Sequence, residues 1–116
     1  MTRHDDETRL RHMLDYAAEA LAMVRGRSRE DRDRDRMPEL SLSRLVEIIG
    51  EAAARVSEDG RGRYPSIPWR YAGDMRNRLI HGYARVDLDL LWDVVHIDLP
   101  PLVLQLREAL GEGEGQ

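Results

Sequence analysis

The sequence predicts an all-α fold, an antiparallel bundle of four to five helices with the last helix kinked at Pro100-Pro101. Apolar residues recur at steps of three and four along four separate stretches, which is the spacing of one buried helix face. No run alternates with period two over a useful length. At 116 residues and 13.4 kDa, 41% of them apolar, the chain holds one domain, read here as 1–110, followed by a Gly/Glu tail at 111–116 expected to be disordered.

Helix one is expected from about Asp6 to Arg25, because Leu10, Leu14, Ala17, Leu21 and Val24 share a face and Gly26 follows. Residues 27–36 alternate arginine with acids and serine and contain no apolar side chain. Such a run cannot bury a face, so 26–38 reads as a charged loop or a frayed helical extension. Helix two follows Pro38 with Leu42, Leu45, Ile49, Ala52 and Val56 on one stripe, and should end near Glu58, where Asp59-Gly60-Arg61-Gly62-Arg63 supplies helix breakers. Helix three starts at Ser66 or Ile67 with Pro68 in its first turn and runs to Ile80 or His81, with Gly82 as its C-terminal cap. Asp87 is placed to cap helix four, whose Leu88, Leu91, Val95 and Leu99 continue the spacing until Pro100-Pro101 kink or restart it. Leu102, Leu106 and Leu110 carry the face onward.

Composition excludes several functions. Without cysteine there is no disulfide framework, thiolate zinc site or thiol nucleophile, and no cluster of the usual metal-ligand spacing is present. No apolar run approaches the roughly 20 residues that a membrane helix requires, and the first residues do not form a signal peptide, so a cytoplasmic protein is expected. The net charge of −4 disfavours general nucleic-acid binding, but the charge is segregated. All 18 basic residues are arginine, and 61–85 carries six of them against one acid, whereas 86–116 carries one against seven. The basic segment can form a local site for an anionic ligand.

That segment also carries the anomaly of the pattern. Trp69, Ala72, Arg76, Leu79 and Tyr83 are spaced as a helical stripe, which puts Arg76 where an apolar residue belongs; a stripe through Ala72, Met75 and Leu79 would leave it on the flank instead. A buried guanidinium must meet a carboxylate, a cleft or a partner. His81 follows five residues later, with Asn77 and Tyr83 nearby. With no metal ligands in view, a histidine can serve as acid or base on a ribose 2′-hydroxyl while an arginine holds the scissile phosphate. One pair per chain is few for this chemistry, so a homodimer that sets two copies across a cleft is expected. The bare Arg/His spacing arises by chance roughly twice in a chain of this composition, so the flanking residues decide.

Ile67-Pro68-Trp69-Arg70-Tyr71-Ala72-Gly73-Asp74-Met75-Arg76-Asn77-Arg78-Leu79-Ile80-His81-Gly82-Tyr83 closely resembles the signature of the HepT-like branch of the HEPN superfamily. Leu45-Val46-Glu47-Ile48-Ile49-Gly50-Glu51-Ala52-Ala53 resembles that family's second-helix motif, and Val86-Asp87-Leu88-Asp89 with Trp92 and Asp98-Leu99-Pro100 its fourth-helix pattern. The resemblance covers about residues 8–108. It implies a HEPN bundle that dimerises, with Arg76 and His81 as the catalytic pair of a metal-independent ribonuclease and Asn77 as the polar residue beside the arginine. It further implies a toxin of a two-gene module whose antitoxin is a minimal nucleotidyltransferase of the MntA type. That enzyme would use ATP to adenylylate Tyr83, the tyrosine of the Arg-x4-His-x-Tyr motif, adding bulk and negative charge where the RNA phosphate must sit. The toxin itself would need no cofactor. An alternative reading is a non-catalytic HEPN dimer that serves as the binding partner of a nucleotidyltransferase. The loop at 27–36 departs from the family in lacking apolar and aromatic residues.

The remaining polar residues have plainer expectations. His4 belongs to a mobile terminus, His12 faces solvent, and His96 is a surface or hydrogen-bonded core histidine. Glu47 and Glu51 form a solvated pair, or Glu51 holds Arg76 or another motif arginine. Trp69 and Trp92 are core or interface anchors. Tyr16, Tyr64 and Tyr71 lack the His-x-Tyr context of Tyr83.

Overall fold

A computed structural model describes residues 2–34, 37–81 and 85–111; for 32–34, 37, 76, 80, 81, 85 and 86 it describes the backbone. The first helix, α1 (Arg3–Val24), begins three residues earlier than the apolar spacing suggests, because Thr2 and Asp5 form a reciprocal cap. The Thr2 hydroxyl accepts from the Asp5 N–H at 3.1 Å and the Asp5 carboxylate accepts from the Thr2 N–H at 3.0 Å. His4 therefore sits in an ordered first turn, exposed, rather than in a mobile terminus. Gly26, at φ 76°, turns the chain away after the helix in the left-handed conformation that favours glycine.

The charged run contains a six-residue helix, α2 (Arg29–Arg34). Arg29 docks it on a later helix through Asp89 at 3.0 Å and Asp93 at 2.8 Å, contacts that no local pattern announces. The second long helix, α3 (Met37–Ala54), buries Leu42, Leu45, Val46, Ile49, Ala52 and Ala53. It packs along α1, which contributes Leu10, Met13, Leu14, Ala17, Ala20 and Val24. Val24, at the end of α1, lines a small apolar pocket with Pro38 and Leu42 from the start of α3, while Asp6 bonds Ser57 just beyond the end of α3. The two long helices therefore run antiparallel, as the sequence predicts.

Residues 58–63, expected to break the helix, form the short helix α4 (Glu58–Arg63). The Ser57 hydroxyl caps it by accepting from the Gly60 N–H at 3.0 Å, and Glu58 and Asp59 lie in its first turn, where acids favour a helix start. Tertiary contact also outweighs propensity here, because Gly60 is buried against Asp6. The expected third helix divides into α5 (Trp69–Gly73) and α6 (Met75–Leu79), both packed on α3. Gly73 and Asp74 are weak helix formers, and Asp74 interrupts the run at φ −95°, ψ 2°. Helix α6 stops at Leu79, one or two residues sooner than expected, because β1 (Ile80–His81) pairs antiparallel with β2 (Arg85–Val86), Ile80 opposite Val86 and His81 opposite Arg85. This ladder is too short for a period-two signal. The expected cap at Gly82 and the tail beyond Gly111 lie outside the described residues.

The Asp87 side chain accepts from the Leu90 N–H at 3.0 Å and starts α7 (Leu88–Asp93), as expected. A π-helical turn (Val94–Asp98) joins it to α8 (Leu99–Ala109), and the Leu99 N–H reaches the Val94 carbonyl five residues back. Pro100 and Pro101 occupy the first turn of α8, where a missing N–H needs no partner in that helix. The disturbance expected at the prolines thus takes the form of a widened turn and a restart. Leu99, Leu102, Val103 and Leu106 of α8 complete the core against α1. The all-α architecture of the bundle stands, with one two-residue ladder added among the described residues.

Candidate functional site

The candidate chemistry lies where α6 gives way to the β1–β2 hairpin. Met75 and Leu79 are buried and root α6 in the core, and with Ala72 they form the buried stripe of this region. These three are the second of the two stripes open to the sequence; the side chains of Arg76 and Tyr83, on which the first depends, lie outside the described residues. Arg76 lies in α6 one residue after Met75, and His81 lies in β1 with its backbone paired to Arg85. The Asp87 N–H donates to the Leu79 carbonyl at 2.7 Å, closing the hairpin onto the helix end. Tyr83 lies outside the described residues, as do the side chains of Arg76 and His81.

Asn77 is exposed, and its side-chain amide donates to the Asp74 carboxylate at 3.0 Å, tying it to the break between α5 and α6. On the neighbouring turns the Tyr71 hydroxyl donates to Asp98, and the Arg78 guanidinium lies 4.6 Å from the Tyr71 ring centroid. Burial, then the bond to Asp98, pushes the Tyr71 phenol well above its ordinary range. Trp69 is half-buried against the core and its Nε1–H donates to the Tyr64 carbonyl at 3.0 Å, which fits the anchor expected of it.

Glu51 is exposed and pairs with Arg44 at 3.9 Å, alongside Glu47 at 3.1 Å, so it is not a buried partner for a motif arginine. Helical periodicity put it near a seam without fixing which flank it takes. His12 is exposed, as expected. His96 is exposed too, stacked on Trp92 with ring centroids 4.0 Å apart, its Nδ1 2.8 Å from the Trp92 carbonyl oxygen. Among the described residues no group of histidines and acids could hold a metal ion.

Sequence reading missed one polar cluster altogether. Asp6 is 1% exposed and accepts from the Ser57 N–H at 2.8 Å, from the Ser57 hydroxyl and from Arg63 at 3.2 Å. Burial pushes its carboxyl up, but the two bonds from Ser57 and the Arg63 charge outweigh that and hold it below the usual carboxylate range. The only signal was Ser57-Glu58-Asp59, a cap followed by two acids.

The helical bundle places Arg76 on α6 and His81 on the strand that follows it, in the order that the HEPN resemblance leads one to expect. The family model described as "Ribonuclease HepT-like" matches residues 13–109, and the chain belongs to that family. It is 38% identical over 93 residues to a Thermococcus cleftensis protein named "Probable ribonuclease HepT", covering 77% of this chain and 84% of the relative. It is 32% identical over 101 residues to the Caldanaerobacter subterraneus subsp. tengcongensis protein named "Putative RNase TTE0752", covering 87% and 90%. No solved structure matches the chain.

Proposed function

We infer that this chain is a metal-independent ribonuclease toxin of a HepT/MntA-type toxin–antitoxin module, acting as a homodimer and neutralised by adenylylation of Tyr83. The observation that carries the reading is the run Arg76-Asn77-Arg78-Leu79-Ile80-His81, with Tyr83 two residues on, inside the stretch that the family model matches. In the proposed reaction a His81 imidazole takes the proton of a ribose 2′-hydroxyl. The 2′-oxygen attacks the adjacent phosphorus, and the bond from phosphorus to the 5′-oxygen breaks. That oxygen collects a proton from the second His81 of the dimer, leaving a 2′,3′-cyclic phosphate and a 5′-hydroxyl. Arg76 stabilises the charge that builds on the phosphoryl oxygens, and Asn77 supports it as a neighbouring polar group. An adenylyl group on Tyr83, transferred from ATP by the partner nucleotidyltransferase, blocks the phosphate by bulk and like charge.

The test incubates purified wild type and His81→Ala with total RNA in the presence of EDTA. Wild type should yield fragments ending in cyclic phosphate while His81→Ala leaves the RNA intact. Identical patterns overturn the catalytic assignment, and RNA left intact by both proteins favours the non-catalytic binding partner. Intact mass after incubation with the transferase and ATP should rise in steps of one AMP residue for wild type and not for Tyr83→Phe. No rise overturns the neutralisation mechanism alone.

A further inference from the structure

Pro68, Trp69, Arg70, Tyr71, Asp74 and Arg78 line an open groove of about 520 Å³ along α5 and α6. Four arginines of the basic segment 61–85 have described side chains, and they divide into two pairs. Arg61 donates to the Ala54 carbonyl and Arg63 to Asp6, so both serve the fold. Arg70 and Arg78 are exposed, and neither is among the ion pairs of the described residues. The one acid of the groove, Asp74, already accepts from Asn77.

The aromatic walls are fixed from behind. The Tyr71 hydroxyl is held by Asp98 and Trp69 by the Tyr64 carbonyl, so what each offers the groove is its ring. Arg78 lies over the Tyr71 ring, an arrangement that orders the guanidinium before any ligand arrives. Two cations outside the ion pairs of the described residues, one of them ordered by a tyrosine ring and both beside a tryptophan, are elements that hold single-stranded nucleic acid, the cations taking phosphates and the free ring a base without regard to sequence.

We propose that this groove is a substrate subsite, in which Arg70 and Arg78 each bind a phosphate of the RNA strand, Tyr71 orders Arg78 for that contact and Trp69 supports a base. The proposal rests on the reading of the chain as an RNA-cleaving enzyme. Arg78 and Arg76 share α6, about 3 Å apart along its axis and about 200° apart around it, so a strand held in the groove must pass round the helix to reach the candidate catalytic arginine. These residues position the substrate and take no part in proton transfer.

The test measures binding of a fluorescein-labelled single-stranded RNA 20-mer by fluorescence anisotropy, with His81→Ala as the non-cleaving parent, across a range of salt concentrations. Arg70→Gln/Arg78→Gln in that parent should weaken binding about tenfold or more and flatten the plot of log affinity against log salt by about 1.4, or 0.7 for each phosphate lost. Arg70→Lys/Arg78→Lys should keep the slope. Both arginines are exposed and only the Arg78 contact with the Tyr71 ring is lost, so the melting temperature should fall by no more than a few degrees. A second readout needs no substitution in the groove: bound RNA should protect Arg70 and Arg78 of the parent from phenylglyoxal, read by mass spectrometry. Equal slopes with no protection overturn the subsite, as they would if the groove held an acidic protein surface, and leave the ribonuclease reading to the cleavage assay. A parent that binds no RNA overturns both.

Discussion

Gly60→Ala should destabilise the protein, although the same change in an exposed helix normally stabilises by about 1 kcal/mol. A Cβ at position 60 would lie 2.5 Å from the Asp6 carboxylate oxygen, 2.8 Å from its carbon and 2.9 Å from a Val56 methyl. Ordinary contact is about 3.5 Å or more, so the carboxylate must retreat by about 1 Å. It is anchored by the Ser57 N–H at 2.8 Å, by the Ser57 hydroxyl and by Arg63 at 3.2 Å, and that retreat stretches these bonds beyond useful range. Weakening the two that the displaced Oδ2 accepts, from the Ser57 hydroxyl and Arg63, costs about 3–4 kcal/mol, and subtracting the helix gain leaves about 2–3 kcal/mol. For a chain of this size that lowers the melting temperature by about 10 °C. Gly62, in the same short helix, has nothing within 4 Å of the place a methyl would take, so Gly62→Ala should be neutral or slightly stabilising and serves as the control. Thermal melts followed by circular dichroism read both. In an Asp6→Ala background most of the Gly60→Ala penalty should vanish, leaving only the Val56 contact. A Gly60→Ala protein that melts at or above Gly62→Ala would refute the steric argument.

Three further outcomes follow from the same contacts. Asp6 titrates below its ordinary value of 3.8 when folded, burial being outweighed by Ser57 and Arg63, so its contribution to stability is full above about pH 4 and is lost as pH falls through the folded value. Acid melts should steepen below pH 4 in wild type and flatten in Asp6→Asn; equal slopes would count against the assignment. The Tyr71 phenol is raised above its ordinary value of 10.0, so its contribution is present below pH 10 and lost as pH rises towards the folded value. Tyr71→Phe should cost about 1 kcal/mol at neutral pH and flatten the alkaline limb of the stability profile. Arg29→Ala removes half-exposed ion pairs to Asp89 and Asp93, so global stability should fall by under about 1 kcal/mol while amide exchange across α2 quickens. Unchanged exchange there would mean that α2 is held by something else.

The long helices were legible because burial imposes a period that composition cannot hide: Leu10, Leu14, Ala17 and Val24 on α1, and Leu42, Leu45, Ile49 and Ala52 on α3, are all buried. What the sequence concealed depends on contacts between distant residues. Gly60 and Gly62 read as breakers because propensity is local, whereas α4 persists through a Ser57 cap and an Asp6 carboxylate 51 positions away from that serine. The break at Asp74 and the end of α6 at Leu79 leave too few residues to disturb a periodic pattern. The candidate site was legible only through family resemblance, since the Arg/His spacing alone has little specificity. Glu51 pairs with Arg44, seven residues earlier on the same helix, so periodicity accounts for its partner, whereas the expectation of a motif arginine across the seam required a tertiary contact that periodicity does not give.

The hairpin at the candidate site shows how the fold governs chemistry that the helical pattern does not encode. Asp87 closes the hairpin with its backbone, donating to the Leu79 carbonyl, and starts α7 with its side chain, accepting from Leu90. One residue thus ends the element that carries Arg76 and begins the one that packs beneath it. Had the helix run on through His81, as propensity alone suggests, Arg76 and His81 would lie five residues apart on one helix, about 7.5 Å along its axis and about 140° apart around it. A strand beginning at Ile80 frees position 81 from that helical geometry. A buried Leu79 and a capping Asp87 fix where the change happens, so the separation between the two motif residues is set by packing and capping rather than by helix periodicity.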